Sequence, residues 1–241
     1  MPLLDFQTAL GRLVREPADE DPRRGLALAA GEEVSLASLA ESPGFRFTQD
    51  VQRSWCVGRA AKGARLTLSL LPVPERQRLL DKWVSTGGGT GSFFAAEADA
   101  FLDFIAGHLP DPSHVLTLCR VEQATLRASE GVRHFAGFDP SRAGGLLRVG
   151  RYAALVRFHS EPHLLLAALQ GEAPPHSLSP RAIPMLFGPG LDGLCRLATE
   201  EEVTLWERLA TPAAWPVLLR EGHAPDTIQA LLLAGAAEYM D

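Results

Sequence analysis

The chain has 241 residues, 46% of them hydrophobic and 22% charged, enough for one large domain or two small ones with real cores. A net charge of −6 and scarce lysine argue against duplex nucleic acid, whose phosphates call for clustered Lys and Arg. No apolar run is long enough for a bilayer, and Met1–Asp5 lacks the basic-then-apolar order of a signal peptide, so a cytoplasmic protein is expected.

In chain order, Leu3–Val14 predicts an amphipathic helix with Phe6, Leu10, Leu13 and Val14 on one side. Residues 16–24, with two prolines and mixed charges, read as a solvated loop. Glu32–Glu41 and Thr48–Arg59 predict shorter helices, the second with Val51 and Trp55 four apart. Ala64–Leu71 is an apolar run closed by Pro72. Pro74 opens the next helix, with Leu79, Leu80, Trp83 and Val84 as its stripe. Gly87–Ser92 lacks the Gly-Lys-Ser/Thr ending of a phosphate loop and reads as a connection, with Ser92 capping the helix Ser92–Leu109. Pro110 and Pro112 end that helix.

His114–Ser129 follows as its expected antiparallel neighbour. Glu122 falls on its apolar stripe of Val115, Leu118, Cys119 and Leu126. A carboxylate facing a core needs a partner, so Glu122 is expected in a structural ion pair, with Arg53 and Arg65 as candidates. Helices dominate to about residue 130. The expected division is a helical domain at 1–130, a glycine-rich linker at 131–145 and a smaller mixed domain at 146–241.

Leu146–Phe158 predicts one strand carrying Arg148, Arg151 and Arg157. His159 and His163 have a helical metal-ligand spacing, but Pro162 interrupts it, and Cys56, Cys119 and Cys195 are too scattered for a zinc or disulfide pattern. Pro162–Gln170 predicts a short helix. Ile183–Phe187 and Gly193–Ala198 then read as facing strands around Gly188-Pro189-Gly190, with Leu191 and Asp192 completing the turn. Thr199-Glu200-Glu201-Glu202 is a capping box opening the first of three short helices. The third places Ile228, Leu231 and Leu232 on one face and stops at Gly235. The expected fold class is α+β: a helical N-terminal domain, then a short antiparallel sheet with winged-helix-like helices.

Six segments together resemble a known group: Asp-Phe-Gln-Thr-Ala-Leu (Asp5–Leu10), Asp-Val-Gln-Arg-Ser-Trp (Asp50–Trp55), Gly87–Phe94, Ala100–Ile105, Cys119–Ala124 and Leu186–Leu191. This is the family of partner proteins of multinuclear non-haem iron-dependent oxidative enzymes, which modify cysteines in ribosomally made peptides. The methanobactin biosynthesis partner subunit belongs to it, as do related proteins labelled DNA-binding. The resemblance implies a heterodimer with the iron enzyme, iron and chemistry residing in that enzyme, and a C-terminal domain that recognises the leader of a substrate precursor peptide.

The residues themselves offer no ligand cluster, nucleophile–base pair or cofactor loop, so no catalytic residue, cofactor or metal is assigned to this chain. The expected peptide site is a groove beside the strand Gly193–Ala198, if that strand forms a sheet edge. Ile228, Leu231 and Leu232 would form one wall, Phe187 and Leu194 would line the floor, Leu191 would also contact the peptide, and Arg196 would meet an acidic leader residue. No sustained heptad marks a homodimer seam, so a 1:1 complex with the iron enzyme is expected. The competing readings are a DNA-binding transcriptional regulator and an enzyme acting alone.

Overall fold

The structure, a computed structural model, describes residues 2–15, 21, 23–88, 94–138, 145–168 and 177–240. Its architecture is α+β, in two compact units, Met1–Phe104 and Ile105–Asp241.

The first unit is helical: α1 (Pro2–Arg15), α2 (Ala30–Glu41), α3 (Pro43–Gly63), α4 (Arg65–Ser69), α5 (Val73–Ser85) and most of α6 (Phe94–Ala106). The long helix α3 is its hub, with α1, α2, α4 and α5 packed on it. It begins five residues earlier than periodicity predicts because Pro43 sits in its first turn and Ser42 Oγ accepts from the Phe45 N–H at 3.2 Å. Phe45, Cys56 and Ala60 are buried on its inner side. Leu79, Leu80 and Val84 of α5 are buried as their spacing predicts, and the Trp83 ring lies 5.4 and 5.3 Å from those of Phe101 and Phe104. Among the described residues of this unit the buried carboxylate is Glu97, paired with Arg59 at 2.6 Å. Ser92, the expected cap of α6, lies outside the described residues.

In the second unit, α7 (His114–Gly131) lies along a sheet, so the division falls before this helix, whereas the sequence places it after residue 130. Part of the expected linker also packs here: Phe138 stacks on Trp215 at 6.2 Å. The single strand expected over Leu146–Phe158 is two, β1 (Leu146–Val149) and β2 (Ala154–Phe158), in different sheets. Gly150 makes the break, because a Cβ there would lie 2.2 Å from the Gly235 carbonyl oxygen.

The remaining elements are α8 (Pro162–Ala168), β3 (Ile183–Phe187), β4 (Cys195–Leu197), α9 (Glu200–Arg208), β5 (Ala213–Ala214), α10 (Trp215–Arg220), α11 (Pro225–Leu233) and β6 (Ala237–Tyr239). They complete two antiparallel sheets, ordered β5-β1-β6 and β2-β3-β4. The expected β3–β4 pairing is present, with Leu186 opposite Arg196. Leu147, Leu186, Leu205, Leu218, Ile228 and Leu231 are fully buried in one core beneath both sheets.

The Gly188-Pro189-Gly190 turn does more than reverse the chain. It receives the end of α11: Gly190 N–H donates to the Ala234 carbonyl at 3.1 Å. Cβ atoms at Gly188 and Gly190 would lie 2.2 Å from the Ala234 oxygen and 2.1 Å from the Leu233 oxygen. Gly150 N–H donates to the Ala236 carbonyl at 2.8 Å. One short segment, 233–236, therefore ties the turns of both sheets together.

Candidate functional site

The strand expected to offer its edge does so, since among the described residues β4 pairs only with β3. The wall expected beside it is not a surface. Ile228 and Leu231 are fully buried, Leu232 is 4% exposed and Phe187 3%; the first three belong to the core. Their helical spacing encodes packing rather than a groove. Leu191 and Leu194 are half-buried in the hairpin turn, where Leu194 holds a left-handed φ of 67° just after Gly193. Arg196 is paired within the chain to Glu202 and also donates to the Leu197 carbonyl at 2.9 Å, so it closes part of this edge.

The other site candidates fall as follows. Glu122 is half-buried on α7, Arg53 pairs with Asp81 at 2.6 Å, and Arg65 is exposed. His159 shares a hydrogen bond of 3.2 Å with the Ser179 carbonyl, and His163 is exposed on α8. Cys56 and Cys119 are buried; burial also pushes the Cys195 thiol up, which keeps it protonated and weakly nucleophilic at neutral pH. Among the described residues, no three His, Cys, Asp or Glu side chains gather as ligands would.

The opposite edge of the same sheet is the better site. Residues of an antiparallel strand alternately turn their backbone groups toward one neighbour and the other. The Pro184 carbonyl accepts from Ala198 N–H at 3.0 Å, on the β4 side, and Pro184 has no N–H to give. Residues 184 and 186 are thus turned to β4, and their partners on β2, Arg157 and Leu155, turn their N–H and C=O groups away from β3. Residues 153–157 also line a groove of about 500 Å³.

Its far wall is α7. Leu116, Arg120, Gln123 and Arg127 line the groove, spaced four, three and four residues apart, which is one helical face. That face is roughly 16 Å long and β2 roughly 17 Å, so wall and strand run for matching lengths. Trp206 of α9 lines the groove as well, half-buried. Arg120, Arg127 and Arg157 are the basic residues of the lining, with Asp111 at one end. Sequence reasoning puts the Leu146–Phe158 strand second to Gly193–Ala198 as the peptide's place and does not resolve this edge, because it runs β1 and β2 together; the available signals were Gly150 and the Pro184 that leaves one row of the sheet without a donor.

Arginines of the second unit meet carboxylates: Arg148 with Glu238 at 2.6 Å, Arg181 with Glu200 at 2.9 Å, Arg208 with Glu221 at 2.8 Å and, at the groove itself, Arg157 with Glu207. No helix is long and apolar enough to cross a membrane among the described residues. No protein-family model matches the chain, and no curated protein matches it.

Proposed function

We propose that this chain is a non-catalytic subunit that holds an extended, acidic peptide segment along the free edge of β2. The open edge carries the reading: among the described residues the five-residue β2 pairs with β3 alone, which turns the backbone groups of Leu155 and Arg157 away from the sheet beside a groove also lined by α7. An added strand would bond to those groups, Trp206 would pack against an apolar side chain, and the arginines would favour acidic neighbours. The resemblance read from the sequence supports the wider setting: the peptide is the leader of a ribosomally made precursor, and an iron-dependent enzyme bound to this chain modifies its cysteines.

The test uses peptides selected on the full chain from a random library, with affinity read by fluorescence anisotropy. Leu155→Pro removes one groove-facing N–H that makes no bond to β3, and an edge strand tolerates proline. It is expected to weaken binding at least tenfold with the circular dichroism unchanged, and Trp206→Ala to weaken it comparably. Full affinity in both folded variants, or a selection that yields no acidic extended sequence, would remove the site from this edge.

A further inference from the structure

The outer face of α3 carries a pattern that packing inside the chain does not explain. Phe47 is 69% exposed and Trp55 67%, with Val51 at 38% midway between them. The pattern is symmetric about Val51. Phe47 lies four residues before it and Trp55 four after; Thr48 lies three before and Ser54 three after; Gly44 lies seven before and Gly58 seven after. At about 100° per residue, all of these fall within roughly 60° of Val51 around the helix. They form one stripe, and every one of them is exposed.

The glycines sharpen the point. A Cβ at Gly44 or Gly58 would meet nothing within 4 Å, so among the described residues neither is required by a neighbour. Gly58 sits in a helix interior, where glycine is unfavourable unless something approaches closely. The stripe therefore has small residues at its ends, aromatic residues inside them and a β-branched residue at the centre.

We propose that the chain forms a two-fold symmetric dimer in which α3 of one protomer packs antiparallel on α3 of its partner, with the axis beside Val51. A two-fold contact must be self-complementary: if one residue faces a second, the second faces the first. A stripe symmetric about one residue meets that condition. Phe47 of one protomer lies opposite Trp55 of the other, Thr48 opposite Ser54, and Gly44 opposite Gly58, where the small residues keep the ends of the contact clear. Phe47 and Trp55 alone offer on the order of 300 Å² per protomer, a sizeable part of the roughly 800 Å² each partner buries in a standard interface. The contact does not depend on the peptide groove, which is built from other elements.

Sedimentation equilibrium of the full chain is expected to give twice 26.0 kDa at micromolar concentration. Val51→Arg and Trp55→Glu, at exposed positions that the fold tolerates, are expected to weaken the dimer at least tenfold without changing the circular dichroism. Register is read by cross-linking in a Cys195→Ser background. Val51→Cys should join to itself on mild oxidation, and Thr48→Cys chains mixed with Ser54→Cys chains should join more than either alone. A monomer throughout the micromolar range, a dimer indifferent to Val51→Arg, or Thr48→Cys joining best to itself would each overturn the proposal.

Discussion

Arg196 and Glu202 close the turn between β4 and α9 with a doubly bonded pair: Nη1 donates to Oε2 at 2.8 Å and Nη2 to Oε1. Glu202 Oε2 also accepts from the Thr199 N–H at 2.9 Å, and Thr199 Oγ1 accepts from the Glu202 N–H at 3.2 Å, which completes the capping box read from the sequence. Burial works against the charged carboxylate, yet the bonds from Arg196 and Thr199 outweigh it and hold Glu202 below the ordinary glutamate range. Its ionised form is thus favoured by folding. Glu202→Gln is expected to cost about 1.5–3 kcal/mol at pH 7. That stability is present above the unfolded-state pKa of about 4.3 and fades as pH falls through the lower folded value. Urea unfolding of both proteins at pH 7 and pH 3 checks this, and a difference that stayed constant with pH would refute it.

Leu231 separates packing from recognition. It is fully buried, so Leu231→Ala should cost about 2–5 kcal/mol through lost contacts and a cavity, and Leu231→Asp should unfold the second unit outright. Urea titration and near-ultraviolet circular dichroism would show it. A folded, fully stable Leu231→Asp chain would place this side chain at a surface.

The Arg59–Glu97 pair in the first unit has a sharp asymmetry. Glu97 is 2% exposed and Arg59 29%, so removing the arginine strands a carboxylate in the interior. Arg59→Ala is expected to cost about 3–5 kcal/mol, and adding Glu97→Gln to recover part of it. Thermal unfolding of the single and double variants measures the coupling; additive effects would mean that the pair does not interact.

Glycines predict opposite effects at two positions. A Cβ at Gly188 would press on the Ala234 backbone, which cannot swing aside, so Gly188→Ala should cost at least about 2 kcal/mol. At Gly11, inside α1, a Cβ meets nothing within 4 Å, and Gly11→Ala should add about 0.5–1 kcal/mol. Chemical denaturation of the two variants tests both signs together.

What could be read in advance followed from local chemistry. The capping box at Thr199, the stripe of α5, the strand pair around Gly188 and the stop at Gly235 depend on residues a few positions apart. The errors came where distant residues decide. Gly150 is a break only because Gly235 arrives against it, and β6 exists only because β1 accepts it. Ile228, Leu231 and Leu232 make an apolar face whether it lines a groove or a core, so spacing could not choose. The β2 edge was hidden for a related reason: an edge is defined by the strand that does not come.

The placing of β1 between β5 and β6 bears on how the second unit is assembled in time. Leu146 and Leu147 pair with Ala214 and Ala213, and Arg148 with Glu238, which is 90 positions further along the chain. As the chain leaves the ribosome, β1 emerges long before either neighbour, whereas the β2–β3 pair can close much sooner. Non-local pairings of this kind close slowly, because a long loop must be ordered before any contact rewards it. The β2-β3-β4 sheet is therefore expected to close early, whereas β1 gains its first neighbour only when Ala213–Ala214 has emerged and its second only with Ala237–Tyr239.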